Sequence, residues 1–193
     1  MRKGIIILVA VLLFILVIGS WFIHGLNKVV RLDEKVNEEW AQIETQLKRR
    51  NDLIPNLVQT VKGYAKHEKE IFIKVADARA KLTGLISQGG SIEAKIEAAK
   101  ELQGALARLL AIVERYPDLK ANQNFLRLQD ELAGTENRIA VARTRYNRAV
   151  KEFNTYIREV FGSFFAKLRG LNRPRPYFRI EEESEKKVPE VKF

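Results

Sequence analysis

The sequence predicts an all-α protein: an N-terminal transmembrane helix followed by an antiparallel helical bundle of three long segments, packed as four helices. Three observations predict it. An uncharged apolar run of membrane-spanning length lies near the N-terminus, apolar residues then recur every seven positions, and no stretch alternates apolar and polar residues as a half-buried strand would. With 46% hydrophobic residues among 193, the chain carries enough apolar material for a packed core, which excludes extensive disorder.

Residues 4–23 read GIIILVAVLLFILVIGSWFI, without a charge and with 17 apolar residues in 20. A helix of that length is about 30 Å long, the thickness of a bilayer's hydrocarbon core. Arg2 and Lys3 precede the run, and Trp21 and Phe22 close it, where aromatic side chains sit at headgroup level. It exceeds a signal-peptide core, and no Ala-x-Ala cleavage pattern follows, so residues 1–24 read as a retained anchor. The flanking bases, Arg2 and Lys3 against Lys28, Arg31 and Lys35, are nearly balanced. A short basic start before a first span is the pattern of a signal anchor. The expectation is a single-pass cell-membrane protein with its body outside the cytoplasm.

Residues 25–170 form the predicted bundle. The first segment carries the series Val36, Ile43, Arg50, Leu57, Tyr64, Ile71, Ala78, and four positions on Trp40, Leu47, Ile54, Val61, Glu68, Val75, Leu82. The second offers Ile92, Ile96, Ala99, Leu102, Leu106, Leu109 and Val113. The third repeats the design with Phe125, Leu132, Ile139, Tyr146, Phe153 and Val160. Stripes of this period belong to helices packed along their lengths. Thr83-Gly84 and Gln88-Gly89-Gly90 punctuate the end of the first segment, Ser91 is an N-cap for the second, and Pro117-Asp118 separates second from third. Gly170, Pro174 and Pro176 then terminate helix.

The first and third segments span roughly 50 residues, about 75 Å, and the middle one about half that. Three straight rods would leave unmatched ends, which a break in the first segment repairs. Pro55 is the natural point, since it removes an amide donor and disfavours helix at Ile54. The repeat nevertheless passes through Pro55 in phase, as in a merely kinked helix. Residues 171–193 form an extended or flexible tail. Its Tyr177, Phe178, Val188, Val191 and Phe193 either dock on the bundle or offer a peptide motif to a partner.

The chemistry is narrow. With no cysteine there is no disulfide, thiolate zinc site or thiol nucleophile. His24 and His67 are the only histidines, and His67-Glu68 lacks the second histidine of a zinc helix because position 71 is Ile71. No phosphate-cradling glycine loop or Ser/His/Asp set is present, so no catalytic residue, metal or cofactor is expected and the protein reads as a non-enzyme. Arg50 and Glu68 interrupt the first stripe. They lie 18 residues apart, about 27 Å on one continuous helix, too far to pair there. Gln129, Glu136 and Arg143 form a polar series on the third segment and are the natural partners. Arg50, Glu68, Glu136 and Arg143 therefore mark either a polar network that sets helix register or a site for a ligand or partner.

The net charge of +10 is spread out. Residues 25–70 carry nine bases and eight acids, 71–117 seven and five, 118–170 ten and six, and the remainder from 171 six and five. A nucleic-acid binder concentrates its bases on one face, so nucleic acid is not an expected partner. The expected partners are the membrane and other proteins, a second copy of the chain among them, with no small-molecule substrate.

Trp40-Ala41-Gln42-Ile43, followed by LKRRNDLIPNLVQTVKGYAKHEKEIF from Leu47 to Phe72, resembles the LemA family. NQNFLRLQDELAGTENRIAVARTRYNRAV from Asn122 to Val150 is similar to that family's second block, and RPYF (Arg175–Phe178) and VPEVKF (Val188–Phe193) to its usual ending. The resemblance implies a prokaryotic membrane protein with one N-terminal span and a helical-bundle body. The family has no accepted catalytic residues, so the resemblance implies fold and location rather than mechanism. A scaffold or interaction role follows. The alternative is a signalling or sensory accessory that binds a small ligand between helices.

Overall fold

Local sequence sets some of the helix ends, and contacts from distant segments set the others. The computed structural model describes residues 2–179, and among them the chain is helical without a strand: α1 (Arg2–Tyr64), α2 (Lys69–Ser87), α3 (Ile92–Val113), α4 (Pro117–Lys120), α5 (Gln123–Tyr156) and α6 (Val160–Leu168). Two compact units are built from these elements. Among the described residues, one comprises the chain up to Ala41 and Thr144–Arg175, the other Gln42–Arg143 and residues 176–179.

In the second unit the seven-residue stripes become the core. Ile43, Leu47, Ile54, Leu57 and Val61 of α1 are buried, as are Val75, Ala78 and Leu82 of α2, Leu102, Leu106 and Leu109 of α3, and Phe125 and Ile139 of α5. The expected break at Pro55 is corrected: α1 passes through it, and the helix ends at Tyr64, before residues 65–68. A proline in a helix interior leaves the carbonyl four residues back without its amide donor. Here the Arg79 side chain of α2 supplies the donor, its Nε lying 3.1 Å from the Asn51 carbonyl oxygen. Asn51 itself is buried and donates from Nδ2 to Thr83 Oγ1 at 2.9 Å. The helix is thus repaired by its neighbour and has no need to break. The actual turn follows Gly63, a poor helix former, and is closed by the Glu68 amide donating to the Ala65 carbonyl at 3.3 Å.

Thr83-Gly84 does not end α2 either. Gly89 does, with φ +70° and the Gly90 amide donating to the Leu85 carbonyl at 2.8 Å, a Schellman closure. Ser91 caps α3 as its sequence position predicts, its hydroxyl accepting from the Ala94 amide at 3.2 Å. Pro117 occupies the first turn of the short α4, and the Asn122 carboxamide accepts from the Asn124 and Phe125 amides to start α5.

In the first unit, Val29, Val36 and Trp40 of α1 and Tyr146, Ala149, Val150 and Phe153 of α5 are buried, and the Trp40 and Tyr146 rings meet edge-on with centroids 5.5 Å apart. The third segment is not one helix to residue 170. It stops at Tyr156 and restarts as α6, and Val160, next in the repeat, is exposed, while Phe165 and Ala166 are buried instead. Gly162 permits the return, because a Cβ there would lie 1.9 Å from the Tyr156 carbonyl oxygen. After Gly170 (φ +69°) the chain is non-helical. Asn154 exchanges two bonds with the Arg175 backbone, accepting from its amide at 2.8 Å and donating to its carbonyl at 2.9 Å. Phe178, in the second unit, is buried and Tyr177 is more exposed. Val188, Val191 and Phe193 lie outside the described residues.

The beginning of α1 differs from everything after it. Ile6 to Ile18 expose their side chains along the helix, so this one element is long and apolar enough to cross a membrane.

The proline repair is testable by a double-mutant cycle. Arg79→Ala strands the Asn51 carbonyl and is expected to cost about 1–3 kcal/mol in chemical denaturation. In a Pro55→Ala background, where the restored amide can bond to Asn51, the same substitution should cost measurably less.

Candidate functional site

The polar residues on the α1 stripe are the places where distant parts of the chain are bound. In the second unit Arg50 points its guanidinium at Glu136 of α5, Nη1 to Oε2 at 2.9 Å. The Arg50 side chain is 10% exposed and that of Glu136 36%. The contact is electrostatic: Oε2 is buried but lacks hydrogen-bond geometry. Burial pushes the Arg50 guanidinium below the usual arginine range, and the Glu136 carboxylate opposes that shift. The pair lies on the wall of a cleft of about 280 Å³, otherwise lined by Gln103, Leu106, Ala107 and Leu110 of α3 and Gln129, Leu132 and Ala133 of α5. Such a cleft is mostly apolar with one charged pair, a composition that can orient a small polar group or a partner side chain.

The other two sequence-selected residues lie elsewhere. Glu68, in the turn after α1, pairs with Arg115 at 2.8 Å, beyond the end of α3, and with none of Gln129, Glu136 or Arg143. Arg143 is half-buried on α5 and makes no ion pair among the described residues. The structure therefore joins Arg50 to Glu136 and separates Glu68 and Arg143 from them. His67 is exposed, and no cluster of three or more potential metal ligands occurs among the described residues.

Two further polar contacts escaped sequence reasoning. Lys95 of α3 is buried and donates to Glu44 Oε2 at 2.9 Å, with Lys48 at 3.4 Å from the other oxygen. Burial acts to raise the Glu44 carboxyl, but Lys95 and then Lys48 outweigh it and hold it below the usual carboxylate range. In the first unit, buried Asp33 accepts from Arg175 Nε at 2.9 Å and Nη2 at 2.6 Å. A signal for Asp33 existed: the series of Trp40 and Leu47, extended back one repeat, falls on it. Nothing local signals Arg175, which lies 142 residues away.

Removing Glu136 alone strands a buried cation. Glu136→Leu is expected to destabilise the second unit by about 1–3 kcal/mol, discounted for its partial exposure, and Arg50→Met added to it should recover most of the loss. The Glu44 pairing has a pH signature. A carboxyl held low in the folded state stabilises fully above its unfolded value of about 4.3 and loses that stabilisation as the pH falls through the folded value. Glu44→Gln should therefore flatten the acid side of the melting-temperature profile and change it little at neutral pH beyond a constant offset.

Sequence comparison places this helical body among known proteins. The profile of the LemA family matches residues 39–193. Magnetosome protein MamQ 2 of Paramagnetospirillum magneticum is 29% identical over 175 residues, 79% of this chain and 64% of that protein. Magnetosome protein MamQ of Magnetospirillum gryphiswaldense is 25% identical over 169 residues, 76% and 62%. Protein LemA of Metamycoplasma hominis is 27% identical over 151 residues, 76% and 67%. The chain spans less than two thirds of the length of the MamQ proteins it matches.

Proposed function

The chain belongs to the LemA family, and from that premise we propose that it is a single-pass membrane-anchored scaffold or interaction protein without catalytic activity. One observation carries the reading: the apolar start of α1 exposes every large side chain from Ile6 to Ile18, yet continues without interruption into a helix whose later stripe is buried from Val36 to Val61. A soluble core helix would bury such residues. Lipid is the solvent in which they are stable. The anchor is taken as residues 1–24, an antiparallel four-helix bundle within residues 25–170 forms the body, and the segment from 171 follows as a tail. The body lies outside the cytoplasm, in line with the short basic start.

A scaffold acts by presenting surfaces. The long helical faces of the body suit a membrane-protein partner or a second copy of the chain, and the interleaved charges favour protein over nucleic acid. The alternative, a ligand-sensing accessory, is favoured by the cleft beside Arg50 and Glu136. In that case a small anion would compete with Glu136 for the guanidinium.

Crosslinking of the full-length protein in native membranes is expected to recover a reproducible partner or self-adduct, lost on substitution of exposed helical residues. A chain that stays monomeric and partnerless overturns the scaffold reading. A metabolite-dependent rise in melting temperature, abolished by Arg50→Met, would favour the sensing alternative instead.

A further inference from the structure

Helix α6 is short, and its apolar residues divide between two faces. At 100° per residue, Val160, Phe161, Phe164 and Leu168 fall within one stripe about 100° wide. All four are exposed, Val160 at 82% and Phe161 at 63%. The opposite side, Gly162, Phe165 and Ala166, is buried. Soluble surfaces seldom group four large apolar side chains on nine residues without an occupant.

The inner side says where this stripe sits. Phe165 stacks edge-on against Trp21 at 5.3 Å and Phe22 at 5.6 Å, and Phe161 against Trp21 at 5.2 Å. Gly25 makes room for the ring, since a Cβ there would fall 2.2 Å from Phe165. Trp21 and Phe22 are the last aromatic residues of the apolar run, the level at which such side chains meet headgroups. The outer stripe of α6 therefore continues the exposed apolar surface of Ile18, Trp21 and Ile23 sideways from the span. Its charged surroundings agree: residues 158–173 hold Arg158, Lys167, Arg169 and Arg173, all exposed, against the single acid Glu159.

We propose that α6 is a second membrane contact, an interfacial helix whose Val160, Phe161, Phe164 and Leu168 enter the headgroup–acyl boundary beside the anchor, with its bases drawn to anionic lipid. The aromatic contacts to Trp21 and Phe22 set the depth. The proposal rests on the anchor reading, and the two are tested separately.

Because the chain has no cysteine, single-cysteine variants of the full-length protein can carry an environment-sensitive fluorophore without background labelling. Phe164→Cys and Val160→Cys report the stripe, Val160 being so exposed that its loss does not threaten folding. Val17→Cys reports the span and Glu38→Cys the water-exposed side of the same unit. In vesicles of phosphatidylcholine and phosphatidylglycerol, probes at 160 and 164 should be blue-shifted, quenched several-fold more by lipids bearing a shallow nitroxide than the probe at 38, and shielded from iodide. Replacing the phosphatidylglycerol by phosphatidylcholine should weaken that quenching. Iodide quenching at 160 and 164 with lipid quenching at 17 overturns the α6 proposal and leaves the anchor intact. Iodide quenching at 17 overturns the anchor reading itself. Protection of 160 and 164 from both quenchers also overturns the proposal, since a protein then covers the stripe.

Discussion

The seven-residue repeat on α1 constrains what can pack against it, because a helix that buries the same stripe over many turns admits polar groups there only if they are answered. Polar residues buried on this helix are met by distant segments within their own unit, although Asn51 Oδ1 is buried without a hydrogen-bond partner. Asp33 accepts from Arg175, Arg50 meets Glu136, and the Asn51 carbonyl accepts from Arg79 while its side-chain amide donates to Thr83. An unanswered buried group costs its desolvation in full, so these residues specify which segment lies where more than they add stability. The apolar positions between them supply the driving force and accept any apolar neighbour of the right size.

Pro55 illustrates how one missing donor is absorbed. The amide it lacks would have bonded to Asn51, and the guanidinium of Arg79 takes that place from α2. A helix that would otherwise lose a donor at this point continues through the proline. The break falls instead after Tyr64, where the Ala65 amide bonds back to the Val61 carbonyl and the Glu68 amide to the Ala65 carbonyl.

In this member of the LemA family the two kinds of surface largely separate, with Ile73, Leu126 and Val141 exposed singly elsewhere. Buried stripes and their polar partners build the units, while the exposed apolar side chains concentrate at the start of α1 and on the outer stripe of α6. Hydrophobic burial is non-directional, so those residues seek any apolar medium. Their contiguity around Trp21 and Phe22 is what favours one extended medium over a discrete partner.

The sequence by itself determined the helical class, the apolar segment, the core stripes, and the caps at Ser91 and beyond Ser87, because each is set by residues within a few turns of one another. Val36, Ile43, Leu47, Leu57, Leu102 and Phe153 are buried as their spacing requires. Only the tertiary structure decided that α1 survives Pro55, that α5 stops at Tyr156, and that Glu68 finds Arg115 while Arg50 finds Glu136. Those outcomes depend on donors, acceptors and close backbone approaches supplied from tens of residues away, such as Arg79 to Asn51 or Arg175 to Asp33. Periodicity tells which face of a helix is covered, whereas the identity of the covering group is a property of the packed chain.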